Sequence, residues 1–134
     1  MRRTAGLLLV AAALVSGCGA PSADLFDVQR TGRDRNANVR LVVSDGGTVS
    51  CNGKQKGLDS ERLLTARALA RDLDKQAALD LELPPGKGAL LRYEVRTPDG
   101  SVAFSDTSRG RPRTFDRLVA FTADVAERVC GIER

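Results

Sequence analysis

The spacing of apolar and polar positions changes several times along the chain, and each change marks an element. Leu7 to Val15 is a continuous apolar run behind Arg2 and Arg3, too short to span a bilayer. Leu25-Phe26-Asp27-Val28-Gln29-Arg30 alternates and predicts a first strand. Thr31 to Asn38, carrying Gly32, Asn36 and Asn38, predicts a loop. Val39-Arg40-Leu41-Val42-Val43 and Thr48-Val49-Ser50-Cys51 flank Asp45-Gly46-Gly47 and predict a hairpin. A two-residue loop would set Val43 opposite Thr48 and Leu41 opposite Ser50. A three-residue loop sets Val43 opposite Val49 and Leu41 opposite Cys51, gathers the apolar groups on one face, and uses Gly47 in a left-handed conformation. The three-residue loop is therefore expected.

Asn52 to Gly57 reads as a turn. A helix follows, with Asp59 as N-cap, Leu58 and Leu63 as a hydrophobic staple, and Glu61 near the positive end. Leu63, Ala66, Leu69, Ala70, Leu73 and Ala77 share one helical face. Pro84-Pro85-Gly86 is expected to end this region. Leu91, Tyr93 and Val95 alternate with charged residues, and Val102 and Phe104 alternate after Pro98-Asp99-Gly100, predicting a second hairpin. Burial of its large side chains favours a two-residue Asp99-Gly100 loop with Val95 opposite Phe104. Pro112 opens a last helix. Its face is Phe115, Leu118, Val119, Thr122, Val125, Ala126 and Val129, with Gly131 at C′ and Ile132 packing back. The order β-β-β-α-β-β-α predicts an α+β fold, an antiparallel sheet of about five strands packed by two helices.

The chain has 134 residues, 42% of them apolar, enough for one ordinary core and against disorder. Aromatics make up only 4%, so Phe26, Tyr93, Phe104, Phe115 and Phe121 are expected in the core rather than on a stacking surface. The small residues after the apolar run end in Leu14-Val15-Ser16-Gly17-Cys18. With the positive start and the short apolar stretch, residues 1–18 resemble the lipobox signal of bacterial lipoproteins. That resemblance implies cleavage after Gly17, lipid on the Cys18 thiol, and acylation of the new amine. The chain then divides into a signal peptide, 1–17, a lipidated cysteine and tether, 18–24, and a single domain, 25–134. Without Arg2 and Arg3, 19 basic residues face 17 acidic ones, a balance that argues against nucleic acid as a partner. Cys51 and Cys130 remain, an even pair in an exported domain, and predict a disulfide joining the end of the last helix to a strand.

Catalytic chemistry is poorly represented. The chain has no histidine, which removes Ser-His-Asp and Cys-His arrangements and most catalytic zinc sites. No phosphate loop or dinucleotide fingerprint is present. Asp72 with Asp74, and Asp80 with Glu82, lie two apart, a spacing that points side chains away from each other on a helix. No catalytic residue, metal site or cofactor is expected. Arg30, Arg33, Arg35 and Arg40 form one basic cluster, and Arg109, Arg111, Arg113 and Arg117 form a second. These are candidate contacts to an anionic surface, although Asp34, Asp106 and Asp116 dilute them and no aromatic interleaves them.

The mature part resembles small lipoproteins of high-GC Gram-positive bacteria. Its layout is also similar to emfourin-type inhibitors of thermolysin-like metalloproteases. The similarity is carried by Gln29-Arg30-Thr31-Gly32 before Val39-Arg40-Leu41, then Leu83-Pro84, Tyr93, Asp99-Gly100, Asp106 and a terminal amphipathic helix. The signal, the Cys51–Cys130 pair and Arg33 depart from that pattern, and no inhibitory residue carries over. The expectation is a non-enzymatic binding domain held by lipid on Cys18 to the outer face of the cell membrane, with an envelope protein or polymer as partner. The inhibitor resemblance implies instead a secreted thermolysin-like protease as the target.

Overall fold

The structure, a computed structural model, describes residues 23–133. The signal, Cys18 and most of the expected tether lie outside the described residues. Six strands form one antiparallel sheet: β1 (Asp24–Gly32), β2 (Val39–Ser44), β3 (Thr48–Cys51), β4 (Lys54–Gly57), β5 (Leu91–Thr97) and β6 (Gly100–Ser105), in the order β4-β3-β2-β1-β5-β6. Two helices complete the α+β fold, α1 (Ser60–Ala78) and α2 (Arg113–Asp124).

Alternation decides which face is covered. Phe26, Val28 and Arg30 of β1 share a face with Val39, Leu41 and Val43 of β2, and with Tyr93 and Val95 of β5, and all are buried. Asp27, Gln29 and Thr31 point the other way, to a polar open face. The helices supply Ala66, Leu69, Leu73, Ala77, Phe115, Leu118 and Phe121 to the same core, and Val125 follows just after α2. All five aromatic side chains are buried there, as expected: Tyr93 stacks on Phe104 and Phe104 on Phe115, with centroids 5.1 and 4.5 Å apart, and Phe26 meets Phe121 edge-on at 5.9 Å.

The first hairpin has the expected three-residue loop. Val43 faces Val49, Leu41 faces Cys51, and Gly47 takes φ +84°. The second differs. Val95 faces Val102 and Tyr93 faces Phe104, around a Pro98-Asp99 turn. The shift from the expected register is two residues, so the same side chains stay on the buried face. β4 is a strand where a turn was expected. Its residues, Lys-Gln-Lys-Gly, are all exposed, and only pairing with β3 makes them a strand.

Asp59 caps α1, accepting from the Arg62 backbone N–H at 2.9 Å. That bond, and then the Arg62 guanidinium, hold its carboxyl below the usual aspartate range. The helix ends at Ala78, earlier than the prolines implied, because Asp80 enters the left-handed region at φ +47°. The following segment runs along the outer edge of β6, where Leu83 N–H donates to Ala103 O and Ala103 N–H to Leu81 O. Pro112 is the N-cap of α2 rather than its first residue, and α2 runs into a wider π turn, Val125–Val129. Gly131 has φ +68°, and Ile132 N–H donates to Ala126 O at 2.8 Å and packs on the core. The helices are antiparallel, joined by Arg62–Asp124 at 2.7 Å and Arg117–Asp72 at 2.5 Å.

The Cys51–Cys130 disulfide is present, with Cα atoms 5.7 Å apart and 79 residues of separation. It ties the π turn to β3. Replacing both cysteines with alanine should lower unfolding stability by about 2–5 kcal/mol, the usual cost of a native bridge in a small exported domain. Denaturant titration of the double variant against the oxidised wild type measures this.

Candidate functional site

The sheet sorts the loops between two ends. At one end Asp24 pairs with Ser44, Ser44 with Thr48, and Thr97 with Gly100. At the other end Gly32 pairs with Leu91, and Arg92 with Ser105. β1 spans the distance between them, roughly 27 Å for its extended length. The chain before Asp24 enters at the first end. Both arginine clusters belong to the second: Arg33 and Arg35 follow β1, and Arg109, Arg111 and Arg113 follow β6.

Within the clusters the residues divide sharply. Arg30 is only 4% exposed and lies on the helix-covered face, so it is not a surface group. Its Nε donates to Ala37 O at 2.8 Å and its Nη2 to Asn36 O at 3.2 Å, which ties a short 3-10 turn, Arg35–Ala37, to the end of the core. Arg40 pairs with Asp27 on the open face at 2.6 Å, which raises its pKa through that hydrogen bond. Arg111 pairs with Asp116 at 2.8 Å and donates to the carbonyls of Ser105 and Asp106. Arg117 is held by Asp72 between the helices. Arg33, Arg35, Arg109 and Arg113 are exposed and make no ion pair with any described residue.

A cleft of about 210 Å³ opens at this end, between the loop after β1 and the residues that lead into β5. Arg30, Arg33, Ala37, Leu90, Leu91 and Asp106 line it. Gly32 permits the close approach of its two walls, since a Cβ there would lie 2.8 Å from both Ala37 Cβ and Leu90 O. Asn38 Oδ1 accepts from Gly32 N–H at 3.0 Å, and the Asp106 carboxylate accepts from Leu90 N–H at 3.2 Å. Both walls are therefore hydrogen-bonded in place. Leu90 nonetheless stays 64% exposed. The sequence had pointed to the arginines but not to this cleft, because Leu90, Leu91 and Asp106 meet the arginines only through strand pairing.

The carboxylate pairs close in sequence do not face each other. Asp72 serves Arg117, Asp80 accepts from Ser101 N–H at 3.0 Å, and Glu82 pairs with Arg92 at 3.2 Å. Asp74 instead meets Asp99, from the β5–β6 turn, and desolvation followed by that neighbouring charge raises the Asp74 pKa. Among the described residues, no group of three or more His, Cys, Asp and Glu is placed to hold a metal ion, and no helix is long and apolar enough to cross a membrane. No family model, curated protein or solved structure matches the chain.

Two outcomes follow for these two regions. A carboxyl whose folded pKa is raised loses favourable free energy as pH rises through that value, and costs nothing when both states are protonated. Asp74→Asn should therefore raise the melting temperature near pH 7 and leave it unchanged below about pH 3, where aspartate is protonated in either state. Thermal melts across that range read both the sign and the window. Gly32→Ala forces a side chain against Ala37 and the Leu90 carbonyl and should cost about 1–3 kcal/mol, the range for overpacking. Chemical denaturation measures that loss.

Proposed function

We propose that the chain is a lipid-anchored lipoprotein of the cell envelope, on the extracytoplasmic face of the membrane, whose folded part is a non-enzymatic binding domain. The observation that carries this reading is Leu14-Val15-Ser16-Gly17-Cys18 behind Arg2, Arg3 and the Leu7–Val15 apolar run. The Cys51–Cys130 bridge supports it, since structural disulfides persist in oxidising compartments. The position of Asp24 supports it too: residues 19–23, small and without a large apolar side chain, leave a short tether between Cys18 and the first strand. The binding role is supported by the spare arginines and the cleft at the end of the sheet away from that tether. Lipid on Cys18 is the membrane partner, because two or more acyl chains bind far more firmly than scattered arginines.

Cys18→Ser removes the modified atom and leaves the folded domain unchanged. The variant should move from the membrane fraction to the soluble fraction, or accumulate as the unprocessed precursor. Fractionation with a mass measurement distinguishes the two. A variant that matures and stays with membranes like wild type overturns the anchor.

A further inference from the structure

We propose that the cleft beside Arg30 is a binding site for a single carboxylate borne on a short aliphatic group, the chemistry found at the C-terminal residue of a polypeptide. The proposal rests on the binding-domain part of the reading above and is independent of the anchor. It begins with Arg30. A buried cation is costly unless a counter-ion and hydrogen bonds offset its desolvation. Arg40, Arg62, Arg67, Arg92, Arg111 and Arg117 are all far more exposed than Arg30, and each has a carboxylate partner. Among the described residues, Arg30, at 4% exposure, has no carboxylate within ion-pair distance, and two backbone carbonyls accept from its side chain. Those bonds hold the guanidinium fork in one orientation, and its remaining N–H donors have no partner among the described residues, in a side chain that lines the cleft. A preset fork is suited to a planar carboxylate.

The rest of the cleft narrows the choice. Arg33 lines it as well, exposed and without an ion pair to any described residue, and supplies a second cation. Leu90, Leu91 and Ala37 form an apolar wall, which suits an aliphatic group and offers nothing to a bare phosphate. Asp34 and Asp106 also line the cleft and offset its two cations, with the Asp106 carboxylate held by Leu90 N–H, so a polyanionic chain fits poorly and a single carboxylate depends on direct hydrogen bonds from the arginines. At about 210 Å³ the space is smaller than the usual 300–1,000 Å³ of cofactor and drug-sized sites. It matches one side chain with its carboxylate.

The test titrates the full mature protein with N-acetyl-leucine, with N-acetyl-leucinamide, with an acetylated tetrapeptide ending in a free leucine carboxylate, and with inorganic phosphate. Chemical shifts of the Gly32, Ala37 and Leu90 amides report binding. Both acids should bind, with the amide weaker by about tenfold or more, the scale of a charged hydrogen-bond pair. A peptide at least about tenfold tighter than N-acetyl-leucine identifies a polypeptide end as the source, and equal affinities identify a free carboxylic acid. Arg33→Gln and Leu90→Asp, both on exposed residues, should each weaken the acids about fivefold or more, and Arg30→Met should abolish binding. If Arg30→Met does not fold, the two surface variants decide the matter. Equal binding of acid and amide, phosphate binding as tight as the acids, or no shift up to about 10 mM would overturn the proposal. Cys18→Ser protein should bind identically, so failure here and failure of the anchor are read separately.

Discussion

A six-stranded sheet with one apolar face has to cover that face, and nearly every other feature here follows from how it does so. Val28, at the middle of β1, sits in a row with Leu41 on one side and with Val95 and Val102 on the other. Two antiparallel helices lie over this row, each with one apolar stripe, and they are joined by ion pairs along their shared rim. At roughly 25 cal/mol per Å² of apolar surface removed from water, this burial is the main favourable contribution to the fold. The bridge from Cys130 to Cys51 then holds the last turn, the part of a terminal helix most prone to fraying, against the sheet.

Elements with a buried face were legible in the sequence, and those without one were not. The alternation in β1, β2, β3, β5 and β6 reflects a covered face and an open one, and the three-residue loop at Gly47 follows from keeping Val43 and Val49 together. β4 has no apolar residue, so its only signal is the ladder it completes. In the second hairpin, Tyr93, Val95, Val102 and Phe104 have to share a face, but alternation alone is satisfied equally by registers two residues apart. The aromatic stack of Tyr93 on Phe104 selects one of them. The end of α1 was hidden because the left-handed residue is Asp80 rather than glycine. The π turn has no sequence pattern of its own, since its apolar positions continue the stripe of α2.

The arginines show the same limit at the level of the site. In sequence they form two runs of like charge. In the fold they separate into a buried Arg30, several residues neutralised by particular aspartates, and four, Arg33, Arg35, Arg109 and Arg113, without an ion pair to any described residue. Arg30 continues the Phe26-Val28 alternation, so its inward direction could be read from the strand pattern. What could not be read is the 3-10 turn whose carbonyls receive it, since Asn36 and Ala37 reach the guanidinium only when the loop folds back. The cleft exists because that loop and the residues before β5 close on the bare backbone of Gly32.

The place of β1 in the sheet has a mechanical consequence. The first strand of the domain is also one of its two central strands, hydrogen-bonded on both sides along most of its length. A pull directed along the axis of β1 cannot peel the ladders apart one bond at a time. The bonds to β2 and β5 lie across the pull and have to give way together. The domain thus resists such a pull at the place where its backbone is most densely bonded.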